Sequence, residues 1–506
     1  MSLSVVYTRA ALGVNAPLIT IEVHISQGLP GLIMVGLPET TVKESRDRVR
    51  SAIINSGYTF PAKKITINLA PADLPKEGGR YDLPIAIALL AASEQLNSTK
   101  LGQYEFVGEL ALTGSLRGVP GAISAAIEAI AAGRQIIVAE ENAPLVGLLG
   151  GCDCLIASHL LEVCAFLEGK QSLRLPPSDN LTTVENSEDL SDVIGQQQGK
   201  RALEIAASGG HNLLLIGPPG TGKTMLASRL RGLLPPLNDR EALESAAIIS
   251  LENIGNVRTQ WRSRPFRAPH HSASLAAMVG GGSIPAPGEI SLAHNGVLFL
   301  DELPEFERRV LDALREPIES GKIHISRTRA KLTYPARFQL IAAMNPSPTG
   351  HYEGQHNRCT PEQTLRDLKR LSGPVRDRFD LSLEIPLPPP GLLSQPIRPG
   401  ESSVTVQNRV IATRHRQYDR QDKLNALLSS SEIKQYCTLH HADALWLEQT
   451  LMQLGLSIRA WQRLLKVSRT LADMEGVEFI ARHHLQEALS YRGIDRMLLH
   501  LQTLLQ

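Results

Sequence analysis

Gly217-Pro218-Pro219-Gly220-Thr221-Gly222-Lys223-Thr224 is the stretch of this 506-residue chain that decides its fold. It fits the phosphate-binding loop of P-loop nucleoside triphosphatases, and it follows an apolar run, Leu213–Ile216, that predicts a strand. The glycines would let backbone N–H groups curl around phosphates at the start of a helix. Lys223 would reach the phosphate oxygens, and Thr224 would offer its hydroxyl to Mg²⁺. The segment therefore predicts a site for ATP with Mg²⁺.

Two further apolar runs end in polar residues that such a site needs. Val297–Leu300 precedes Asp301 and Glu302. In P-loop ATPases the first carboxylate of such a pair holds Mg²⁺, and the second polarises the attacking water. Leu340–Met344 precedes Asn345, whose amide could orient the water or contact the γ-phosphate. Strands that alternate with helices predict an α/β sheet, and the paired carboxylates predict hydrolysis.

Two arginines lie close together further along the chain. Arg376 and Arg378 stand in the segment Gly373–Asp380, among acidic neighbours. A guanidinium inserted into a neighbouring subunit's site would stabilise the charge of the transition state. The alternative is an intramolecular salt-bridge network, and the pattern does not choose between the two arginines.

The first part of the chain, residues 1–170, mixes short strands with helices. Apolar residues alternate with polar ones in Ile19–Ile25 and Lys64–Leu69, which is the period of a half-buried strand. Glu39–Asn55 is patterned as an amphipathic helix, and the almost wholly apolar Leu83–Ala92 predicts a buried one. We therefore expect an α+β domain over residues 1–170.

The rest of the chain divides by composition. Residues 171–188 are polar, contain Pro176-Pro177 and lack periodicity, which is typical of a linker. Residues 189–390 carry the motifs described above and form the expected ATPase core. Residues 391–506 are helical in pattern and predict an α-helical C-terminal domain. The fold class is therefore multidomain α/β.

Composition limits the classes of partner and compartment. The chain has 52 basic and 51 acidic residues, so any nucleic-acid surface must be local. Its five cysteines do not resemble the disulfide framework of a secreted protein. We find no signal peptide and no apolar run long enough to span a bilayer. These features predict a cytoplasmic protein without membrane contact.

One stretch, Lys322–Arg337, contains five cations and no acid. Apolar residues on both sides of the polar centre Ser326–Lys331 predict a β-hairpin with a basic tip. In a ring, Arg327, Arg329 and Lys331 would meet DNA phosphates from several subunits. A solvated basic face, an intersubunit contact and a loop that grips a polypeptide are the alternatives.

A second acid-free stretch runs over residues 258–288 and interleaves cations with aromatic residues. Arg264 and Arg267 lie in it, and we expect both to contact DNA. The neighbouring pair His270-His271 is interpreted as ordinary polar or packing histidines, because adjacent side chains rarely chelate one ion together. No structural zinc is expected in this chain.

These motifs closely resemble those of AAA+ ATPases of the magnesium-chelatase-like branch, and specifically the ComM/YifB family. The residues that carry the resemblance are Asp189–Gln196 ahead of the P-loop, Arg264–Ser272, Ser372–Asp380 and Leu456–Ala460. The last segment resembles the sensor-2 motif of the helical lid, which would place Arg459 on the nucleotide. The resemblance also favours Arg378 as the arginine finger.

The amino-terminal part resembles the Lon-protease-like fold, a ribosomal S5 domain 2-like fold. Arg80 occupies the position at which Lon proteases carry their nucleophilic serine, and no lysine lies between Gly118 and Gly133. A Ser/Lys mechanism needs the amine to activate the hydroxyl. The resemblance therefore implies a domain of this fold that is not an active protease.

Family membership would imply a hexameric, ATP-dependent DNA helicase or translocase. Such a motor promotes branch migration in recombination or natural transformation, with single-stranded or branched DNA and recombination proteins as partners. The alternative is a protein-remodelling or metal-chelatase-like chaperone that shares the ATPase core but acts on a protein. DNA stimulation of ATP hydrolysis would separate the two hypotheses.

Overall fold

The computed structural model describes residues 2–36, 40–151, 153–177, 188–252, 257, 260–281, 286–326, 331–347, 350, 359–387, 389 and 400–505. In the amino-terminal region the strands are β1 (Ser2–Arg9), β2 (Leu18–Ser26), β3 (Gly31–Val35), β4 (Lys64–Ala70), β5 (Tyr104–Val107), β6 (Glu109–Leu110), β7 (Leu116–Arg117), β8 (Gln135–Ala139) and β9 (Cys154–Ala157). The strands that follow are β10 (Leu213–Ile216), β11 (Phe266–Arg267), β12 (Gly280–Gly281), β13 (Ala286–Pro287), β14 (Val297–Leu300), β15 (Lys322–Ser326), β16 (Lys331–Pro335), β17 (Gln339–Met344) and β18 (Leu381–Glu384).

The helices of the first half are α1 (Thr40–Asn55), α2 (Asp82–Ala92), α3 (Ala122–Ala131), α4 (Ala143–Val146), α5 (Leu160–Leu167), α6 (Gln197–Gly209), α7 (Lys223–Leu233) and α8 (Asp239–Ile249). Those of the second half are α9 (Leu275–Val279), α10 (Glu289–Leu292), α11 (Arg308–Ala313), α12 (Arg315–Ser320), α13 (Pro361–Leu368), α14 (Gly373–Arg376), α15 (Ser403–Gln421), α16 (Ser430–Tyr436), α17 (His441–Gln453), α18 (Ile458–Glu475), α19 (Arg482–Ser490) and α20 (Gly493–Thr503).

The amino-terminal region is built on a mixed sheet with the strand order β3-β4-β2-β1-β5-β8-β9. The alternation predicted for Ile19–Ile25 is confirmed, because Ile19, Ile21 and Val23 are fully buried within β2. Helix α2 is buried along its whole length and packs on β1 and β2. An apolar helix therefore covers one face of the sheet, as the sequence predicts.

The second sheet is parallel throughout and has the order β11-β14-β17-β10-β18. Every residue of β10, β14 and β17 is buried, because helices cover both faces of a parallel sheet. The predicted strands Leu213–Ile216 and Val297–Leu300 are confirmed, and the strand predicted at Leu340–Met344 begins one residue earlier. The carboxyl ends of these strands meet at one edge.

Residues 400–505 are helical, as predicted, and contribute α15 to α20. Helix α18 packs against α6 and α15, which joins this helical region to the parallel sheet. The boundaries proposed at residues 170, 188 and 390, and the likeness of the first region to Lon proteases, stay predictions. Within the described residues, no helix is both long and apolar enough to cross a bilayer.

Strands β15 and β16 form the β-hairpin that the sequence predicts, with Lys322 opposite Pro335 and Ser326 opposite Lys331. One face of the hairpin is buried in the hydrophobic core beneath the parallel sheet; its side chains are Ile323, Ile325, Leu332 and Tyr334. The root of the hairpin is thus anchored. The predicted tip residues 327–330 lie outside the described residues.

Candidate active site

The carboxyl ends of β10, β14 and β17 bring the main predicted residues together. Strands β10 and β17 end level with each other, and β14 ends opposite Ala342 of β17. Gly217, Asp301 and Asn345, which directly follow these strands, therefore share one edge of the sheet. Ligands of open α/β sheets bind outside this edge.

The glycines of the P-loop meet different requirements. At Gly217 an added Cβ would collide with the carbonyl oxygen of Ile385, so only glycine fits between β10 and the chain beyond β18. Gly220 and Gly222 have positive φ angles of +79° and +84°, with open space where a Cβ would lie. The loop therefore curves at the amino end of α7 in a conformation that favours glycine.

Lys223 is buried within this loop. Its Nζ donates to the carbonyl oxygens of Gly217 at 2.7 Å and Pro218 at 2.8 Å, and to Oδ1 of Asn345 at 3.2 Å. Burial lowers the pKa of Lys223, while the charge of Asp301 opposes that shift. The ammonium thus contacts the P-loop and Asn345, and its charge interacts with that of Asp301.

The predicted Mg²⁺ ligands are in direct contact. Thr224 Oγ1 donates to Oδ2 of Asp301 at 2.7 Å, and the other carboxylate oxygen accepts from the backbone N–H of Glu302 at 2.9 Å. Glu302 has a left-handed φ of +52°, which is uncommon outside glycine, and its side chain is 54% exposed. The backbone therefore turns sharply at the two carboxylates, and the second one remains open to solvent.

His271 is a site residue that the sequence interpretation missed. Its Nδ1 lies 3.0 Å from Oε2 of Glu302. The contact arises because β11 runs parallel to β14, so the chain after Arg267 passes the end of β14. The position of β11 beside β14 could have indicated the contact between His271 and Glu302. A strand of two residues, however, is too short to show a periodic pattern in the sequence.

A cleft beside the P-loop was also missed. Gln196 donates to the carbonyl oxygens of Thr221 at 3.3 Å and Pro386 at 3.1 Å, and Thr221 Oγ1 donates to the carbonyl of Pro218 at 2.9 Å. The mainly apolar cleft next to these bonds is lined by Ile194, Gln196, Pro386 and Leu387, among others. Its position and apolar walls suit a nucleobase.

On the other side of Asp301 and Glu302 lies an open, acidic cavity. Glu302 and Asn345 line it, together with Glu305 and Asp367. Arg370 also lines it, 3.6 Å from Glu305. A cation that approaches from outside would meet three carboxylates, of which one is the predicted general base Glu302.

The two predicted finger arginines lie at the opposite, amino-terminal edge of the sheet. The backbone carbonyl of Arg378 accepts from Asn212, which precedes β10, and its guanidinium forms an ion pair with Glu319. Arg376 ends the adjoining helix α14. The four residues of β10, about 13 Å at roughly 3.3 Å per residue, separate this edge from Gly217. The structure therefore does not bring either arginine to the P-loop of its own chain.

Arg459 is placed with the same edge. Its side chain is 74% exposed, and its Nη1 lies 3.9 Å from Oδ2 of Asp377. One turn later, the largely buried Arg463 donates to Asp377 at 3.1 Å and to the carbonyl of Phe379 at 3.3 Å. The expectation that Arg459 reaches the nucleotide of its own chain is thus at odds with its position. Arg463 explains that position, because it fastens α18 to this edge.

Arg264 and Arg267 are engaged inside the chain. The Arg264 side chain is largely buried, and its guanidinium donates to the carbonyls of Pro235 at 2.6 Å and Asn295 at 2.8 Å. Arg267 makes two bonds to the carboxylate of Glu289, at 2.6 and 2.7 Å. The expected DNA contacts have no support from this geometry, because both side chains already hold structural partners.

The predicted DNA-binding residues of the hairpin are only partly described. Arg327 and Arg329 lie outside the described residues, and Lys331 is described by its backbone, as the first residue of β16. On the exposed face of the hairpin, Lys322 and His324 point away from the core. The hairpin thus remains a candidate for DNA contact.

Arg80 stands at the position where Lon proteases carry their nucleophilic serine, and it is buried in the amino-terminal region. Its guanidinium donates to the backbone carbonyls of Arg9 and Pro120. Burial lowers the pKa of Arg80. The side chain therefore ties together three segments of the fold.

The residues at the carboxyl edge fit ATP and Mg²⁺ by their own chemistry. The hydroxyl of Thr224 and the carboxylate of Asp301 are oxygen donors, which Mg²⁺ prefers. The open space at Gly220 and Gly222, at the amino end of α7, suits an anionic group. Lys223 supplies the matching positive charge.

Models of one protein family match most of the chain. "Magnesium chelatase, subunit ChlI" matches residues 189–391, "Subunit ChlI of Mg-chelatase" matches residues 21–142, and "Magnesium chelatase, subunit ChlI C-terminal" matches residues 400–492. The three matches therefore include the P-loop, both edges of the parallel sheet and the helical region.

Individual relatives agree with these matches. The YifB protein of Escherichia coli (strain K12) is 75% identical over 505 residues, and competence protein ComM of Haemophilus influenzae is 58% identical over 510 residues; each alignment covers 100% of both chains. The magnesium-chelatase 38 kDa subunit of Rhodobacter capsulatus is 25% identical over 361 residues, which cover 63% of this chain and 91% of that protein. Full-length identity at this level shows that the chain belongs to the ComM/YifB family of magnesium-chelatase-like proteins.

Proposed function

We propose that this protein is an ATP-dependent DNA motor, a helicase or translocase that promotes branch migration in recombination or natural transformation. The observation that carries the ATPase part is the convergence of Lys223, Thr224, Asp301, Glu302 and Asn345 at one sheet edge. The relative named competence protein ComM supports the role in transformation. Single-stranded or branched DNA is the proposed substrate, and recombination proteins are the proposed partners.

The proposed hydrolysis divides the work among these side chains. Thr224 and Asp301 would hold Mg²⁺, which would neutralise phosphate charge when bound. Lys223 exchanges its bonds to loop carbonyls for bonds to phosphate oxygens. Glu302 accepts a proton from the attacking water, and Asn345 orients that water against the γ-phosphate.

The site is completed by a neighbouring subunit in this proposal. Arg378 and Arg459 lie at the edge opposite the P-loop, so a role for them at ATP requires the nucleotide of another chain. The acidic cavity beside Glu302 would receive the neighbour's guanidinium. Such a head-to-tail contact closes into a ring, and we propose a homo-hexamer.

The proposed DNA contacts come from the hairpin of β15 and β16. Arg327, Arg329 and Lys331 concentrate positive charge at its tip in a chain whose net charge is only +1. In a ring, the same tip from each subunit would follow the phosphate backbone of one strand. Replacing these three residues with uncharged ones should therefore abolish the stimulation of ATP hydrolysis by DNA.

The second candidate is a protein-remodelling or chelatase-like chaperone. The observation that favours it is the likeness to the magnesium-chelatase 38 kDa subunit of R. capsulatus. Both candidates share the ATPase edge, and they differ in what the motor moves.

The deciding experiment measures ATP hydrolysis and branch migration with and without DNA. We expect single-stranded or branched DNA to stimulate hydrolysis, and we expect changing Arg327, Arg329 and Lys331 to Gln to abolish stimulation while basal hydrolysis persists. A matched control carries Gln at three exposed lysines elsewhere: Lys63, Lys100 and Lys434. If DNA leaves the intact enzyme unstimulated and branches unmoved, the motor is contradicted and the chaperone is favoured.

A further inference from the structure

The turn between β1 and β2 projects from the amino-terminal sheet. Leu12 and Asn15 close it with two backbone hydrogen bonds of 3.0 and 3.1 Å. Gly13, at its first central position, has a φ of +62°, the left-handed value that a type II′ turn requires there. This segment, Leu12–Asn15, is called the β1–β2 turn below.

The β1–β2 turn rests on the root of the basic hairpin, more than 300 residues away in the chain. A Cβ added at Gly13 would lie 3.1 Å from both Cε1 and Cζ of the Tyr334 ring, closer than such contacts normally are. Leu12 and Val14, on either side, pack against the same hydrophobic core. Gly13 therefore allows both the turn and its close approach to the ring.

Tyr334 is a central residue of that root. It lies in β16 opposite Ile323 of β15, and only 1% of it is exposed. An isolated two-stranded hairpin is marginally stable in water, so packing of one face decides whether it holds its position. The amino-terminal region supplies part of that packing, and the parallel-sheet region and α20 supply the rest of this core.

We propose that the β1–β2 turn braces the β15–β16 hairpin, so that the amino-terminal region works as a support for the element that grips DNA. The role in DNA contact rests on the proposed function, whereas the brace itself does not. A hairpin that transmits force to DNA must resist displacement at its root. A close-packed contact against a rigid turn provides this resistance.

Hydrogen exchange of the full-length protein tests the brace without DNA. We expect Gly13→Ala to speed amide exchange in β15 and β16 roughly fivefold. The added methyl group would crowd the Tyr334 ring and push the turn away from the hairpin, which then loses a packing partner. Gly57→Ala is the matched control: Gly57 has a φ of +81°, but nothing lies within 4 Å of an added Cβ. Equal hairpin exchange in Gly13→Ala, Gly57→Ala and the unaltered protein would overturn the brace.

The second measurement is the DNA concentration that half-saturates ATPase stimulation. We expect Gly13→Ala to raise it several-fold and leave basal hydrolysis unchanged, with Gly57→Ala close to the unaltered protein. Val14→Ala, which only trims the contact, should act in the same direction and guards against misfolding of the glycine variant. Faster hairpin exchange with unaltered DNA response would refute the coupling to DNA. A wild-type enzyme that DNA never stimulates refutes the proposed function, and the exchange result still decides the brace.

Discussion

The two edges of the parallel sheet differ in what they collect. At the carboxyl edge, two hydrogen bonds form within one chain: Lys223 donates to Asn345 at 3.2 Å, and Thr224 donates to Asp301 at 2.7 Å. At the amino edge, Arg378 is paired with Glu319 instead, and all the predicted phosphate-binding residues are a strand length away. The first edge therefore assembles the predicted site within one chain, whereas the arginines at the second edge pair with acidic residues and lie far from the P-loop of their own chain.

This difference follows from parallel strand geometry. All five strands point the same way, so residues that follow strands gather at one edge and residues that precede them gather at the other. A side chain such as Arg378, fixed just before β18, cannot cross the sheet to the P-loop. If Arg378 is the finger, as proposed, each chain carries two half-sites, and hydrolysis needs two chains.

The largest expected effect is the loss of turnover when either half-site is broken. Glu302→Gln removes the proposed base, and Arg378→Ala removes the proposed finger; each should lower kcat about 10³-fold. ATP binding, measured by a fluorescent analogue, should persist in Glu302→Gln. Glu307→Gln, at an exposed neighbouring carboxylate, is the control. Normal turnover in Glu302→Gln contradicts the assignment, and a loss in Arg376→Ala alone would transfer the finger to Arg376.

Mixing the Glu302→Gln and Arg378→Ala proteins tests directly whether the two edges of the sheet meet between chains. A ring with both kinds of subunit contains contacts in which an intact Glu302 faces an intact Arg378. Random mixing at equal amounts should restore about a quarter of normal activity, because about one contact in four has that composition. Mixtures as inactive as their components would show that the two edges do not meet between chains.

A smaller effect concerns stability at the amino edge, where the sequence predicted DNA contact. Arg264→Ala leaves the partly buried carbonyls of Pro235 and Asn295 without the Arg264 donor. Thermal or urea unfolding should show a loss of about 2 to 3 kcal/mol, and DNA affinity per folded molecule should stay unchanged. Arg240→Ala, at an exposed arginine on α8, should cost little. Weaker DNA binding without loss of stability would restore the original prediction for Arg264.

The sequence predicted the carboxyl edge well because the signals there are local. Leu213–Ile216 and Val297–Leu300 are apolar runs followed at once by their functional residues, so strand and chemistry are read together. The roles of the site residues stay predictions, but their proximity was foreseeable.

The amino edge was harder to predict, because its contacts join distant segments. Arg264 was interpreted as a DNA contact from nearby aromatic residues, while the carbonyls that it binds belong to Pro235 and Asn295. Arg459 was assigned by resemblance to the nucleotide, and its position depends on how Arg463 fastens α18 to Asp377. Neither contact produces a periodic pattern in the sequence from which it could be predicted.

The smallest expected effect on turnover concerns His271, whose contact with Glu302 at the carboxyl edge is not part of any motif in the sequence. Its ring holds the exposed carboxylate of Glu302 at 3.0 Å, on a backbone with left-handed φ. If this contact orients the base toward water, His271→Ala should lower kcat about tenfold and leave the KM for ATP unchanged. His415→Ala, at an exposed histidine on α15, is the control, because the His270 ring packs against His271 and cannot be changed independently. An unchanged kcat in His271→Ala would mean that the contact does not orient Glu302, whereas a raised kcat would mean that it restrains Glu302. Glu302 would then be freed for catalysis only when His271 releases it.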